Sequence, residues 1–282
     1  MKVIAINSTY RPKGSTTMLT RKALEGVAST GVEAEMIMLR DHDIRYCQNC
    51  LKCYRDVESE LAPCTIDDDV TGILRKMLDA DGLIFASPVH NGFLTGLMTA
   101  FYERAVWRVC KPTGELAGLK GVPAPRSTKV RAIATIASAG GMPEKLAKLC
   151  NDGTKFIREN MPMSFNGHYV GEIYAGADLV RMPASDQDWQ RLYFLRRVSD
   201  RQLRMAYDLG VKMGQTLNRG RLKPDRVLGG FTAAMAKLYM KTVRLYNVVG
   251  EKEGGDEARA SVSPPEPTRP RASTTPRRSR TP

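Results

Sequence analysis

The sequence lacks a long apolar run. No uninterrupted apolar stretch approaches the roughly 20 residues that a helix needs to cross a bilayer. Met1 and Lys2 lead directly into the strand-like residues 3–6, without the pattern of a secretory signal. Both absences argue against a membrane-spanning or secreted protein, and we expect a cytoplasmic one.

Histidine is also scarce, with 3 residues among 282. No Ser-His-Asp set and no catalytic pair of carboxylates is evident, so the sequence does not predict a hydrolase. The glycines of a P-loop or a dinucleotide fingerprint are absent, and so are the recognition motifs of nucleic-acid-binding proteins. The one candidate catalytic residue is His90, which could donate a proton to a reduced substrate.

Acidic residues are too few to balance the basic ones, and the formal net charge is +13. Most of this excess lies in residues 190–250, which contain 13 Lys and Arg against 3 Asp. A basic amphipathic helix is expected at residues 228–249. Its apolar side predicts packing on a partner subunit of a homo-oligomer, and contact with a membrane surface is the alternative. Nucleic acid is not an expected partner.

Short apolar runs alternate with helical patterns along the chain. The runs begin at Val3, Val32, Leu83, Val130 and Phe165. Helices are expected at residues 17–29, 67–80, 97–104, 142–159 and 186–218. This alternation predicts an α/β protein with a doubly wound, five-stranded parallel sheet. Residues 104–129 contain several Gly and Pro and are expected to form a long irregular loop.

The predicted organisation has three parts. Residues 1–219 form the α/β domain, residues 220–250 a basic amphipathic helical extension, and residues 251–282 a disordered tail. The tail is dominated by Ser, Thr, Pro and Arg. Such a segment cannot bury enough apolar surface to offset its chain entropy.

Three loops follow strands, at the edge where open α/β sheets bind their ligands. The first loop, residues 8–17, is rich in hydroxyls, carries two cations and opens a helix, which suits a phosphate group. Its candidate ligands are Thr9, Arg11, Ser15, Thr16 and Thr17. The second loop offers a stacking face and backbone that a flat aromatic ligand can approach, at Pro88, Val89, His90, Asn91 and Gly92. The third, residues 138–141, is again a small-residue loop between a strand and a helix.

Residues 87–104 resemble the flavin loop of the NADPH-dependent FMN reductase superfamily. The usual form of that loop is Ser-Pro-Val-Tyr-x-Gly, followed by a helix that contains Ala-Phe-x-x-Arg. His90 stands where the pattern has Tyr. Residues 8–17 are similar to the phosphate loop of the same superfamily, Gly-Ser-Pro-Arg-x-x-Gly-Asn-Thr, with matches at Arg11, Gly14 and Thr16 or Thr17.

The resemblance covers about residues 1–210 and implies a flavodoxin-like fold that binds FMN. It implies that Ser138, Gly140 and Gly141 of the third loop lie against the flavin ring, and that NAD(P)H is the electron donor. The flavin would perform the electron chemistry, while the protein positions it. The acceptor stays open among a quinone, a nitroaromatic compound, a free flavin and a protein.

Cysteine is concentrated in one region. Cys47, Cys50 and Cys53 form a tight group, and Cys64 follows after ten further residues. In a reducing compartment such a group more often binds metal or carries redox chemistry than forms disulfides. The four residues resemble the ligand motif of the iron–sulfur flavoprotein branch, which implies a [4Fe-4S] cluster and an electron carrier. The gap before Cys64 is longer than is usual in that branch, which favours a cluster-free loop, and zinc is a third alternative.

Overall fold

The computed structural model describes residues 1–116, 119–144, 152–177, 183–194 and 198–225, together with residues 234, 235, 238 and 239. The predicted disordered tail at 251–282 and nearly all of the predicted helix at 228–249 lie outside these residues. Within the described residues, no helix has both the length and the hydropathy needed to cross a membrane.

The strands of the described residues are β1 (Lys2–Asn7), β2 (Glu33–Met38), β3 (Gly82–Pro88), β4 (Cys110–Leu116), β5 (Leu119–Pro125), β6 (Arg131–Pro143) and β7 (Gly167–Ala177). Five of them form a central parallel sheet in the order β2-β1-β3-β6-β7, which confirms the predicted architecture. The central strand β3 is buried along residues 82–87. Its apolar run shows no alternation because helices cover both faces of a parallel sheet.

The helices of the described residues are α1 (Ser15–Ala28), α2 (Lys52–Arg55), α3 (Val70–Asp79), α4 (Gly96–Val109), α5 (Asp152–Ser164), α6 (Asp186–Phe194) and α7 (Asp200–Asn218), with a 3₁₀ turn at Leu39–Asp41. They pack on both faces of the sheet: one face carries α1 and α7, and the other carries α3, α4 and α5. Strand β1 divides its side chains accordingly, since Ile4 and Ile6 face one layer while Val3 and Ala5 face the other.

Helices α1 and α7 pack with their backbones unusually close together. A Cβ atom at Gly210 would overlap the carbonyl oxygen of Ala23, and one at Gly26 would overlap the carbonyl oxygen of Tyr207. Only glycine fits at these two positions without a shift of the helices. The close packing fixes α1, whose first turn lies at the carboxyl edge of the sheet.

The structure corrects the predicted irregular loop at residues 104–129. Helix α4 continues to Val109, and β4 and β5 then form an antiparallel hairpin with Cys110 opposite Pro125. The prolines misled the prediction because proline is rare inside sheets. A two-stranded hairpin leaves one edge of each strand unpaired, and proline is tolerated there.

Two predicted helices also need correction. The helix expected at 186–218 is divided into α6 and α7, because Ser199 caps a new helix in a capping box with Gln202. The helix expected at 142–159 loses its first two residues to β6, which extends to Pro143 beside the end of β7, and its C-terminal part is α5, which continues to Ser164. Residues 145–151 of that prediction lie outside the described residues.

Candidate functional site

The three predicted ligand loops meet at the carboxyl edge of the sheet. Parallel pairing sets Asn7 beside Ala86 at the end of β1, and Pro88, at the end of β3, beside Ser138 of β6. Two backbone hydrogen bonds join the loops beyond these pairs: the Ser8 N–H donates to the Ala86 carbonyl at 2.9 Å, and the Val89 N–H donates to the Ser138 carbonyl at 2.8 Å. Sheet register therefore brings the loops together.

The first loop closes on the start of α1. The Gly14 N–H and the Thr17 hydroxyl both donate to the carbonyl oxygen of Arg11, each at 3.0 Å. Gly14 is the N-cap, no side-chain hydrogen bond caps the helix, and its first turn contains no acidic residue. The N–H groups of the first turn thus keep their capacity to bind an anion, which the helix dipole also favours.

The hydroxyls predicted as phosphate ligands have different surroundings. Thr16 and Thr17 are buried, and the Thr16 hydroxyl lies 2.8 Å from the hydroxyl of Ser138. This hydrogen bond links the first loop to the third. Ser15 is half-buried and Arg11 is exposed, so both side chains are accessible to solvent.

The second loop is a tight two-residue turn. The backbones of His90 and Phe93 exchange hydrogen bonds of 2.9 Å in both directions. Asn91 and Gly92 between them have φ values of 50° and 73°, the left-handed conformation that such a turn requires. The His90 ring stacks on Tyr10 of the first loop, with 6.4 Å between ring centroids and 20° between planes. This ring contact joins the second loop to the first.

Sequence reasoning missed two residues that support this turn. Thr95 caps α4 through the Met98 N–H, and its hydroxyl donates to the Ser8 hydroxyl at 2.8 Å. Its position before an apolar helix was a signal for such a cap. Gly153 donates its N–H to the Gly92 carbonyl at 3.3 Å, and a Cβ atom there would lie 2.8 Å from the Leu94 nitrogen. Nothing local in the sequence marked Gly153.

The third loop is part of a strand. Ser138, Gly140 and Gly141 were predicted to follow β6, but β6 continues through them to Pro143. The reason is that β7 also extends, and Pro143 pairs with Ala177. Ser138 still lies beside the second loop, through its hydrogen bond from Val89.

The four cysteines lie in residues 45–68, here called the cysteine loop. Cys50 is exposed, whereas Cys47, Cys53 and Cys64 are half-buried. A hydrogen bond with the Thr65 hydroxyl at 3.4 Å lowers the pKa of Cys50. Burial raises the pKa of Cys53, and the nearby thiols of Cys47 and Cys64 raise it further. In the described part of the chain, no three His, Cys, Asp or Glu side chains are arranged as a metal site.

Arg126, at the end of the β4–β5 hairpin, holds one half of the cysteine loop. Its guanidinium donates to the carbonyl oxygens of Cys53 at 3.1 Å and Ser59 at 3.0 Å, and to that of Asp56. The Arg126 side chain is only 1% exposed. These carbonyls lie in a segment whose one regular element is the four-residue helix α2. The Arg126 side chain therefore supplies the hydrogen-bond donors that a helix or a sheet would otherwise provide.

Two arginines one turn apart on α4 hold the other half. Arg104 forms an ion pair with Asp68 at 2.6 Å and donates to the Cys64 sulfur at 3.4 Å. Arg108 donates to the Ala62 carbonyl at 2.9 Å. Helix α4 starts directly after the second ligand loop, so one helix connects that loop with the cysteine loop.

Comparison with known proteins identifies the family. The sequence profile of the NADPH-dependent FMN reductase family matches residues 1–150. An iron–sulfur flavoprotein of Methanocaldococcus jannaschii is 41% identical over 105 residues, which are 37% of this chain and 52% of the relative. The chain thus spans about half the length of this relative.

Two further proteins extend the comparison. A Bacillus subtilis protein named as an NAD(P)H-dependent FMN-containing oxidoreductase is 26% identical over 181 residues, 64% of this chain and 90% of the relative. The solved structure of an NAD(P)H:quinone oxidoreductase from Methanothermobacter marburgensis covers 75% of this chain and 98% of its own, with a TM-score of 0.52 at 16% identity. That similarity confirms the flavodoxin-like fold. Because the family profile covers more than half of the sequence, the chain belongs to the NADPH-dependent FMN reductase family.

Proposed function

We propose that the protein is an FMN-dependent NAD(P)H oxidoreductase, which passes electrons through the flavin to a quinone, a nitroaromatic compound, a flavin or a protein. The observation that carries this proposal is the convergence of the uncapped start of α1 with the two other ligand loops at one sheet edge. Membership of the NADPH-dependent FMN reductase family supports the assignment. The residues of the three loops also suit the phosphate and the ring of FMN, as described next.

The phosphate of FMN suits the first loop. The α1 N-terminus supplies backbone N–H groups without a competing cap or an acidic neighbour. The candidate ligands are Thr9, Arg11, Ser15, Thr16 and Thr17. Since the hydroxyls of Thr16 and Thr17 are hydrogen bonded within the protein, these two residues would bind through their backbone N–H groups, and the Arg11 guanidinium would add a charge-assisted contact.

The flavin ring suits the space beside the second and third loops. Pro88, Val89, Asn91 and Gly92 would present backbone to the ring edge, and Ser138, Gly140 and Gly141 would border it from β6. Bound FMN would supply the hydride and electron chemistry. His90 carries the one titratable side chain of residues 87–95, so it would hold a proton near the acceptor, and its stack with Tyr10 would limit access to the ring.

An anaerobic reduction experiment tests the function. The FMN-loaded protein is mixed with NADPH or NADH, and the loss of flavin absorbance is followed, then its return after an acceptor is added. We expect full bleaching by at least one of the two nucleotides. A flavin that neither nucleotide reduces would contradict the proposal.

Replacement of Arg11 tests the site itself. Arg11→Ala should weaken FMN binding roughly tenfold to a hundredfold, because a charge-assisted contact contributes about 1.5–3 kcal/mol. Arg21→Ala, which removes an exposed cation from the middle of α1, is the matched control and should leave the affinity unchanged. Equal FMN affinity in the Arg11 variant and the wild type would show that the phosphate loop is misassigned.

The cysteine loop favours a second function, that of an electron carrier with a [4Fe-4S] cluster. Four thiols on one loop match the number and kind of ligands that such a cluster requires, and an arginine donates to one sulfur. The thiols are not grouped as a metal site in the described residues, so binding would require the loop to close around the cluster. The relative in Methanocaldococcus jannaschii supports this function by its name.

One substitution distinguishes a loop that binds a cluster from a loop that does not. Cys50→Ser should abolish iron binding after anaerobic reconstitution and leave reduction of FMN by NAD(P)H intact. Cys110→Ala, which removes a buried thiol outside the loop, is the control and should retain the iron. If the wild-type protein binds no iron, the loop holds no iron–sulfur cluster and is either cluster-free or a zinc site.

We also propose a homo-oligomer in the cytoplasm, with a small-molecule acceptor or a redox protein as its partner. The basic segment 220–250 would pack on a neighbouring subunit or contact a membrane surface. Removal of residues 221–282 should then change the size measured by light scattering or the fraction that sediments with anionic liposomes. A truncated protein that is unchanged in both would contradict a role for this segment.

A further inference from the structure

We propose that Arg40 is a positioning residue for the phosphate site, and that it acts through the peptide group between Tyr10 and Arg11. This inference rests on the FMN-binding function proposed above. It assigns a role to the turn that follows β2, which belongs to none of the three ligand loops. The Tyr10 ring extends this role to the second loop, because it contacts His90.

Sheet register brings Arg40 to the first loop. Strands β1 and β2 are parallel, and their last residues, Asn7 and Met38, lie side by side. Arg40 follows Met38 by two residues, in the 3₁₀ turn Leu39–Asp41. Its Nη1 atom donates to the Tyr10 carbonyl at 2.6 Å. The edge strand of the sheet therefore leads to a side chain that holds the phosphate loop.

This hydrogen bond fixes one peptide group of the loop. The carbonyl and the N–H of a trans peptide point in opposite directions. The Tyr10 carbonyl accepts from Arg40. The N–H of the same peptide is that of Arg11, and it donates to the Thr9 hydroxyl at 3.3 Å. The peptide cannot turn without losing both hydrogen bonds, so the direction in which the Arg11 side chain leaves the backbone is set.

The same network decides which backbone donors remain for an anion. Four N–H groups of the loop donate to acceptors within the protein, those of Ser8, Thr9, Arg11 and Gly14. The N–H groups of residues 15–17, in the first turn of α1, have no acceptor among the described residues. An anion at the start of α1 would therefore be bound by these groups and by the Arg11 guanidinium. Arg40 acts on this set by holding the peptide from which the guanidinium projects.

Tyr10 links the held peptide to the second loop. Its ring stacks on the His90 ring with 20° between the planes, and the His90 backbone is fixed by the hydrogen bonds that it exchanges with Phe93. The two stacked residues stand where the family pattern has Pro and Tyr, so the two departures from that pattern are in contact. Tyr10 is 52% exposed. Its ring therefore depends for its position on the backbone that Arg40 holds.

The charge of Arg40 explains less than its hydrogen bond does. Arg40 forms an ion pair with Asp41 at 3.2 Å, which offsets its attraction for a more distant anion. The two side chains are 35% and 63% exposed, and salt screens charges at such positions. We therefore expect any effect of Arg40 on FMN binding to arise from the position of Arg11.

The test compares FMN with riboflavin, which lacks the phosphate, by calorimetric titration of the full-length apoprotein. Arg40→Met removes the donor, Arg40→Lys keeps a cationic donor, and Asp41→Asn changes the local charge while it retains Arg40. Arg40→Met should weaken FMN binding about threefold to tenfold and leave riboflavin affinity unchanged, since register and helix packing hold the rest of the site. Arg40→Lys should recover most of this loss, and Asp41→Asn should bind FMN as the wild type does.

A double-mutant cycle tests the route through Arg11. In the Arg11→Ala background, Arg40→Met should cause little further loss of FMN affinity, because the side chain that Arg40 positions is gone. Histidine ring-proton NMR follows the second loop in this chain of 3 His. Arg40→Met should move the His90 resonances toward those of Tyr10→Ala, whereas Tyr10→Phe should keep the wild-type pattern.

The inference would be overturned by wild-type FMN affinity in Arg40→Met, by an equal loss of riboflavin affinity, or by fully additive losses with Arg11→Ala. Unchanged His90 resonances in Arg40→Met would contradict the link to the second loop. Each of these results leaves the proposed function standing if the wild-type protein binds FMN. A wild-type protein that binds no flavin would overturn both.

Discussion

The sheet-edge site and the cysteine loop are built by different means. The sheet-edge site is held by register, by helix packing and by short backbone hydrogen bonds such as that from Val89 to Ser138. The cysteine loop contains only one four-residue helix and is held by arginine side chains from α4 and the β4–β5 hairpin. The first depends on the backbone of the whole domain, and the second on a few replaceable side chains.

This difference has a functional consequence. A site fixed by the backbone keeps its geometry when surface side chains change, which suits a cofactor that must be bound in one orientation. A loop fixed by side chains can change its occupant or its potential through single substitutions. We therefore expect the two regions to respond independently to mutations, and the following experiments test that independence.

Gly210→Ala should have the largest effect, and on the sheet-edge site. The new Cβ atom would overlap the Ala23 carbonyl and push α7 away from α1, at a cost of about 3 kcal/mol in the free energy of unfolding. FMN affinity should fall as well, since the proposed phosphate loop leads directly into α1. Denaturant unfolding and FMN titration measure the two effects.

Gly72→Ala is the matched control for this substitution. A Cβ atom at Gly72, on α3, meets no atom within 4 Å. The replacement should stabilise the protein by about 0.5–1 kcal/mol, because alanine favours a helix. If Gly210→Ala and Gly72→Ala changed stability alike, the close packing of α1 and α7 would not be what fixes the sheet-edge site.

Arg126→Met should affect the cysteine loop and the adjoining base of the β4–β5 hairpin, where the Cys110 carbonyl also accepts from Arg126, but not the sheet-edge site. The Cys53 and Ser59 carbonyls would lose their donors, a local loss of about 2 kcal/mol. Hydrogen exchange at residues 45–66 should accelerate roughly tenfold to a hundredfold, with FMN affinity unchanged. Arg75→Met, at an exposed position of α3, should alter neither. An equal loss of FMN affinity in Arg126→Met would contradict the independence of the two regions.

The smallest expected effect is the pH dependence of stability that arises from Cys110, at the base of the β4–β5 hairpin. Burial raises the pKa of the Cys110 thiol from its ordinary value to about 12. The unfolded chain releases this proton near pH 9 while the folded protein keeps it, so the free energy of unfolding falls as pH rises. Between about pH 8 and pH 10 this group should account for a loss of about 1.4 kcal/mol.

Cys110→Ala removes that contribution. The variant should show a shallower decline of stability with pH than the wild type, measured by urea unfolding at both pH values. Parallel declines in the two proteins would mean that Cys110 ionises in the folded state at its ordinary pKa.

Local pattern predicted the parallel sheet correctly. All five parallel strands were predicted because a buried strand is a short apolar run, visible in the sequence without any partner. The hairpin was missed, since residues such as Pro112 and Pro123 are compatible with strands only when one edge stays unpaired. The break before Ser199 was missed because the apolar spacing continues across it, and only the capping box marks the new helix.

The residues that hold the two sites in place could not be predicted from local pattern. Arg126 lies 73 residues from Cys53, whose carbonyl it binds, and Arg104 lies 40 residues from Cys64. Gly153 supports a turn some 60 residues earlier in the chain. Such contacts depend on the tertiary fold, whereas spacing alone did identify the cysteines and the residues of the phosphate loop as candidates.

The most direct test of the sheet-edge site compares two ligands on the unaltered protein. FMN and riboflavin differ only in the phosphate, which we assign to the N-terminus of α1 and to Arg11. Calorimetric titration of the apoprotein should show FMN binding about 100-fold more tightly or better, since several charge-assisted contacts are at stake. Equal affinities for FMN and riboflavin would show that this edge of the sheet does not bind the flavin by its phosphate.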